Sequence, residues 1–209
     1  MITDKESLKF YLAADWFALC KKRKRPRLFS EEIWKFEIAL RKYEYYLNTH
    51  SKHSLFLLLA RYRFHKLSVK LGFDIPPNVL GPGMKINHRG TIVINAHSHI
   101  GKWCDIHPGI CIGDNPIRNI SDEKVHQVPT VGDYVFLGPG AKLFGDIVVG
   151  SNVMIGANAV VNKNVESGMI VYGNPMNVRK SASDVMTTAS EDFEMSFLKV
   201  YPQYKKFLL

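Results

Sequence analysis

Five of the eight histidines in this chain fall between positions 88 and 126: His88, His97, His99, His107 and His126. An imidazole titrates near neutral pH, so a well-placed histidine can take the proton of a hydroxyl and make it a nucleophile. Metal ligation is the competing chemistry. The histidine spacings of 9, 2, 8 and 19 residues match no closed zinc pattern, and no metal is expected. His97, His99 and His107 read equally well as exposed turn residues. His88 differs in its surroundings, the run Leu80-Gly81-Pro82-Gly83-Met84-Lys85-Ile86-Asn87-His88-Arg89-Gly90, which is rich in small and polar residues. Cys20, Cys104 and Cys111 are an odd, sparse set without ligand spacing, which reads as reduced thiols in a cytoplasmic protein.

The elements that must position His88 are set by a period. Aliphatic residues recur every six positions at Val131, Leu137, Leu143, Val149, Ile155 and Val161, and upstream at Ile94, Ile100, Ile106 and Ile112. An earlier block runs Leu80, Ile86, Ile92, and a two-residue slip joins it to Ile94. A period of six fits neither a helix of 3.6 residues per turn nor a hairpin series. It predicts a hexapeptide solenoid, a parallel β-helix over residues 79–180, whose inward aliphatic residues are buried only by stacking coils. Residues 113–130 break the period at Asp114-Asn115-Pro116 and rejoin it at Val128-Pro129-Thr130-Val131. Such an extruded loop is either a functional site or a plain insertion.

Residues 1–78 read as all-α. Thr3-Asp4-Lys5-Glu6 has capping-box spacing and opens a helix to about Cys20. Ser30 is placed to cap a second helix with Ile33, Phe36, Leu40, Tyr43 and Leu47 on one face. A third helix is expected from Ser54 to Leu71, ended by Gly72. The tail, residues 181–209, carries Phe193, Phe197, Leu198, Tyr201, Tyr204 and Phe207 and is expected to pack on a coil face or a neighbouring subunit.

The net charge of +9 resides mostly in the first third: residues 1–78 hold 16 Lys/Arg against 8 Asp/Glu. The run Lys21-Lys22-Arg23-Lys24-Arg25-Pro26-Arg27 is either a solvated link between helices or a contact for an anionic partner such as the inner membrane face. No zinc-finger or aromatic-basic signature accompanies it, so nucleic acid is not expected. The longest apolar run, Leu55 to Ala60, stops at Arg61, too short to span a membrane. Asp4, Lys5, Glu6 and Lys9 interrupt the N-terminus where a signal peptide would be apolar.

The hexapeptides, the helical N-terminus and the segment around His88 resemble the serine acetyltransferase family of left-handed β-helix acyltransferases. They are similar in particular to its shorter members in surface-polysaccharide biosynthesis, as are Leu8 to Asp15, Arg25 to Phe29 and Glu32 to Phe36. The resemblance covers roughly residues 70–180. It implies direct acetyl transfer from acetyl-CoA to an acceptor hydroxyl, with His88 as general base. The orienting aspartate of the family falls on Asp74 in Asp74-Ile75-Pro76-Pro77. Coenzyme A is implied to lie in a groove between adjacent β-helices of a trimer, along Gly113, the turn Gly138-Pro139-Gly140-Ala141 and the turn Gly156-Ala157-Asn158-Ala159. Lys163, Arg179 and Lys180 would meet its phosphates.

Two departures bear on the acceptor. The resemblance implies an aspartate before the base, where this chain has Asn87, and an Arg-His pair before the re-entry proline, where it has Gln127-Val128. With these charges absent, the sequence favours a sugar hydroxyl of a surface glycan. L-serine is the alternative acceptor, since Arg89, His97, Lys124 or His126 could contact its carboxylate. A non-catalytic β-helix scaffold, or a metal protein on the same solenoid resembling γ-carbonic anhydrases, stands outside this chemistry.

Overall fold

The computed structural model describes residues 1–114, 127–180 and 191–208. The chain opens with three helices, α1 (Lys5–Ala18), α2 (Glu32–Thr49) and α3 (Leu55–Leu71). Asp4 caps α1: its side chain accepts from the Ser7 amide, and the Ser7 hydroxyl answers the Asp4 amide. The reciprocal pair is thus Asp4/Ser7, one step on from the expected Thr3/Glu6. Ser30 does not cap α2. Glu31 takes that place in a left-handed conformation, φ 60°, without a side-chain cap. Its carboxylate is engaged elsewhere, by the Arg27 amide at 2.8 Å. Gly72 closes α3 with φ 76°, a conformation glycine adopts without steric cost.

Short strands follow: β1 (Phe73–Asp74), β2 (Lys85–Ile86), β3 (Ile92–Ile94), β4 (His99–Ile100), β5 (Asp105–Ile106), β6 (Cys111–Gly113) and β7 (Thr130–Val131). Then come β8 (Phe136–Leu137), β9 (Lys142–Phe144), β10 (Val148–Val149), β11 (Met154–Ile155), β12 (Val160–Val161), β13 (Met169–Tyr172) and β14 (Asn177–Lys180). They form three sheets, ordered β1-β3-β6-β9-β12, β10-β7-β4 and β14-β13-β11-β8-β5-β2. Every pairing is parallel except β13 with β14. Three parallel sheets fed in rotation by one chain make a three-sided coil. β1 already pairs with β3, so the ladder begins before residue 79.

The six-residue period lines the interior. Ile86, Ile106, Leu137, Ile155 and Val171 share one register line and are all buried. Gly138 is required for stacking, because a Cβ there would lie 2.6 Å from the Ile155 carbonyl oxygen. The tail forms α4 (Glu191–Val200) and a 3-10 segment, Pro202–Phe207. Phe197 is fully buried among Phe10, Ala14, Ala18, Trp103 and Tyr134, so the tail packs on α1 and on a coil face of its own chain. No described helix is long and apolar enough to cross a membrane.

Candidate active site

The site lies on the outer face of the first two coils. Strand register sets Lys85 opposite Asp105 and Asp105 opposite Phe136. Two residues on, Asn87 and His107 leave the same two strands, their amides still bonded to the Ile106 and Leu137 carbonyls. His88 follows at the corner, exposed to solvent. Side-chain alternation therefore puts Lys85, Asn87, Asp105 and His107 on one patch beside it.

Asp105 is the hub of that patch. Its carboxylate is buried and takes Lys85 Nζ at 3.0 Å on Oδ2. Asn87 Nδ2 donates to Oδ1. His107 Nε2 stands 3.3 Å from Oδ1. The His88 and His107 rings are 6.3 Å apart, and His107 also packs on Phe136 at 4.8 Å. Burial, together with His88 and Lys85, lowers the His107 pKa, and Asp105 opposes that shift. The imidazole is therefore neutral at physiological pH.

A cleft of about 280 Å³ opens between the α1–α2 connection and the first coil, lined among others by Lys21, Glu32, Trp34, Lys85, Asn87 and Arg89. Arg89 Nη2 reaches Glu32 Oε2 at 2.7 Å, with 64% of the Arg89 side chain still exposed. The Glu32 carboxyl is held below its usual range by its own backbone N–H, then by Lys70 and Arg89. Charges of both signs therefore line this cleft. The acidic partners lie far from His88 in sequence, Glu32 on α2 and Asp105 on the next coil.

Asp74 is exposed on β1, and among the described residues neither it nor His88 makes a side-chain hydrogen bond. The proposed pairing of the two is not formed in the single chain. His126 and most of the extruded loop lie outside the described residues. Of the coenzyme candidates, Ala141 is fully buried in the coil interior. Its amide donates to the Gly138 carbonyl and its carbonyl accepts from the Cys111 amide. Gly138 is likewise buried by stacking. Pro139, Ala157 and Lys163 are exposed at coil corners, Gly113 is half-buried, and Arg179 and Lys180 are exposed on β14. Among the described residues no group of three His, Cys, Asp or Glu is arranged for a metal ion.

Lys85, Asp105 and Glu32 were not legible as site residues. The signal for two of them was present: matching the inward positions Ile86 and Ile106 places Lys85 against Asp105, one coil of 20 residues apart. Glu32 carried no such signal.

Residues 129–163 match the bacterial transferase hexapeptide family (six repeats). The chain is 38% identical over 119 residues to serine acetyltransferase of Mycobacterium tuberculosis, a match spanning 56% of this chain and 50% of that protein. It is 33% identical over 131 residues to serine acetyltransferase of Helicobacter pylori, covering 62% of this chain and 74% of that one. Over the first relatives the chain thus spans about half their length. A serine acetyltransferase solved in complex with cysteine superposes with a TM-score of 0.63 at 28% identity, over 91% of this chain and 71% of that one. The native serine acetyltransferase 1 of Entamoeba histolytica gives 0.64 at 27%, over 81% and 64%.

These relatives overturn the sugar acceptor and the place in surface-polysaccharide biosynthesis expected from the sequence, and the geometry gives the physical reason. In the sequence, the missing charges at Asn87 and Gln127 read as the absence of partners for an amino acid. The Lys85–Asp105 and Arg89–Glu32 ion pairs place charges of both signs on this side of the fold. The acyltransferase class expected from the repeats is that of the named relatives. By this coverage and identity, the chain belongs to the serine acetyltransferase family.

Proposed function

We propose that this chain transfers the acetyl group of acetyl-CoA to the hydroxyl of L-serine. The observation that carries this reading is the pairing of cationic Lys85 and Arg89 with anionic Asp105 and Glu32 around an exposed histidine. A zwitterion needs partners of both signs, because desolvating either charge alone costs several kcal/mol. Arg89, mostly exposed and already aligned by Glu32, offers a planar fork to the acceptor carboxylate.

His88 takes the proton from the serine hydroxyl as the oxygen bonds to the acetyl carbon. The carbon–sulfur bond breaks, and the proton on His88 passes to the departing thiolate. A positioned base of this kind supplies roughly 10²–10⁴-fold. Pro139 and Ala157, small and exposed at stacked corners, support an approach of the pantetheine arm close to the backbone near Gly113, and Lys163, Arg179 and Lys180 are cations for its phosphates. The coil is taken as left-handed and the assembly as a trimer, whose neighbouring coil completes the groove. The apolar face of α3, with Leu55, Phe56, Leu58, Leu59 and Tyr62 all exposed, supports association.

A thiol-release assay with acetyl-CoA and L-serine tests the reading. Turnover is expected, and His88→Ala should lower it about 10²-fold or more while acetyl-CoA binding by calorimetry is kept. No release above the hydrolysis background, or a His88→Ala variant at the parent rate, overturns it.

A further inference from the structure

The connection between α1 and α2 is held by its backbone, and its side chains are left over. Trp16 Nε1 donates to the Arg23 carbonyl at 2.6 Å, Lys35 Nζ to the Leu28 carbonyl at 2.6 Å, and the Arg27 amide to Glu31 Oε2 at 2.8 Å. Lys21 pairs with Glu31 at 3.6 Å. The other cations of the run, Lys22, Arg23, Lys24, Arg25 and Arg27, are exposed and form no ion pair among the described residues. The carboxylates that follow are already taken, Glu31 by Lys21 and the Arg27 amide, Glu32 by Lys70 and Arg89. Directly after the cations stand Leu28 and Phe29, 78% and 91% exposed. No other large apolar residue described is as open to water.

We propose that the loop over residues 21–29 docks on the surface of an anionic phospholipid bilayer. The unpaired cations meet headgroup phosphates, and Leu28 and Phe29 enter the boundary between headgroups and acyl chains. Each half of the loop is costly in water alone: like charges repel one another, and two large apolar side chains stay hydrated. An anionic bilayer offers counter-charge and an apolar layer a few ångströms apart, in the order in which the loop presents its own. A nucleic acid also takes the cations, but its phosphate backbone gives Leu28 nothing to bury against. The anchored backbone spares the loop much of the ordering cost of binding. The inference is independent of the acyl-transfer reading.

Flotation of the full-length chain with lipid vesicles tests it. Vesicles of phosphatidylcholine and phosphatidylglycerol in equal parts should carry the chain, and vesicles of phosphatidylcholine alone should not. Each Lys or Arg beside an anionic leaflet strengthens binding roughly fivefold, so Lys22→Gln, Arg23→Gln, Lys24→Gln and Arg25→Gln combined should weaken it about 10²-fold or more. Leu28→Ser with Phe29→Ser keeps every charge and should weaken it about tenfold. Lys5→Gln, Lys9→Gln, Lys199→Gln and Lys205→Gln combined remove the same charge from exposed positions elsewhere and should stay within about threefold of the parent. All these side chains are exposed, and thermal melts should match the parent. No flotation with the anionic vesicles overturns the inference. So do equal losses in the two charge variants, and unchanged binding in the Leu28→Ser, Phe29→Ser variant. Fluorescence anisotropy with duplex DNA and with single-stranded RNA covers the other anionic partner, and tighter binding there than to the anionic vesicles also overturns it.

Discussion

The solenoid and the helical region are held by opposite means. Inside the coil, one kind of residue repeats: Ile86, Ile106, Leu137, Ile155 and Val171 stack in register without a polar atom among them. Where the helices meet the coil, buried charges do the joining. Arg41 is fully buried, with Nε 2.8 Å from Asp15 and Nη1 3.0 Å from Glu44. The same guanidinium donates to the Leu80 and Gly81 carbonyls. Asp15 accepts from the Gly83 and Met84 amides, Glu44 from Asn78, and Glu37 from Ile86.

The difference follows from where a solenoid ends. Each coil satisfies its backbone groups on the coils before and after it, but the first coil has no predecessor. Its outward carbonyls and amides at Leu80, Gly81, Gly83, Met84 and Ile86 would be orphaned on burial. Side chains of α1 and α2 stand in for the missing coil, and only long charged groups reach so many backbone atoms at once. Burial works against the charge on Arg41, yet Asp15 and Glu44 together hold its pKa above the usual value.

Removing the centre of this cap should do the most damage. Arg41→Ala leaves two buried carboxylates unpaired and two carbonyls without donors, and should cost about 3–5 kcal/mol in urea unfolding. Amide exchange should accelerate first at Gly83 and Met84. A loss under about 1 kcal/mol would mean that the charges do not hold the helices to the coil. The apolar ladder should respond more gently. Ile106→Val trims one methylene from a repeated stack and should cost about 0.5–1.5 kcal/mol by the same measurement. If it costs as much as Arg41→Ala, the contrast between the two regions fails.

The same contrast explains what could be read from the chain. A six-residue period repeated over ten sites leaves little freedom, so the inward positions from Ile94 to Val161 were legible and are all buried. The cap was not. Asp15 and Gly83 are 68 positions apart, and nothing local marks them as partners. Helix starts shifted for a related reason: Glu31, rather than Ser30, heads α2 because its carboxylate is tied to Arg27 and Lys21. At the site, His88, Asn87 and Arg89 could be found from local context. Asp105 acquires its role only through strand register, and Glu32 only through the docking of α2. Local periodicity reveals repeated contacts, while single long-range contacts wait for the fold.

The finest probe of the cap is Glu37, the one of its carboxylates that touches no cation. Oε1 accepts from the Ile86 amide at 3.2 Å, and Oε2 is buried without a partner. Burial first, and then the nearby Asp15 charge, push its pKa well above the usual 4.5. The folded chain thus keeps a proton on Glu37 at pH values where the unfolded chain has released it. Below about pH 4.5 both states are protonated, and the contribution of Glu37 to stability is fully present. As pH rises from there toward the folded pKa, only the unfolded state gains by ionising, and that contribution is lost. Glu37→Gln keeps an acceptor for the Ile86 amide but cannot ionise. It should therefore raise the melting temperature more at pH 8 than at pH 5, with the gap between variant and parent widening steadily with pH. A gap that is constant or narrows with pH would show that Glu37 is ionised in the fold, and that the cap is charged throughout.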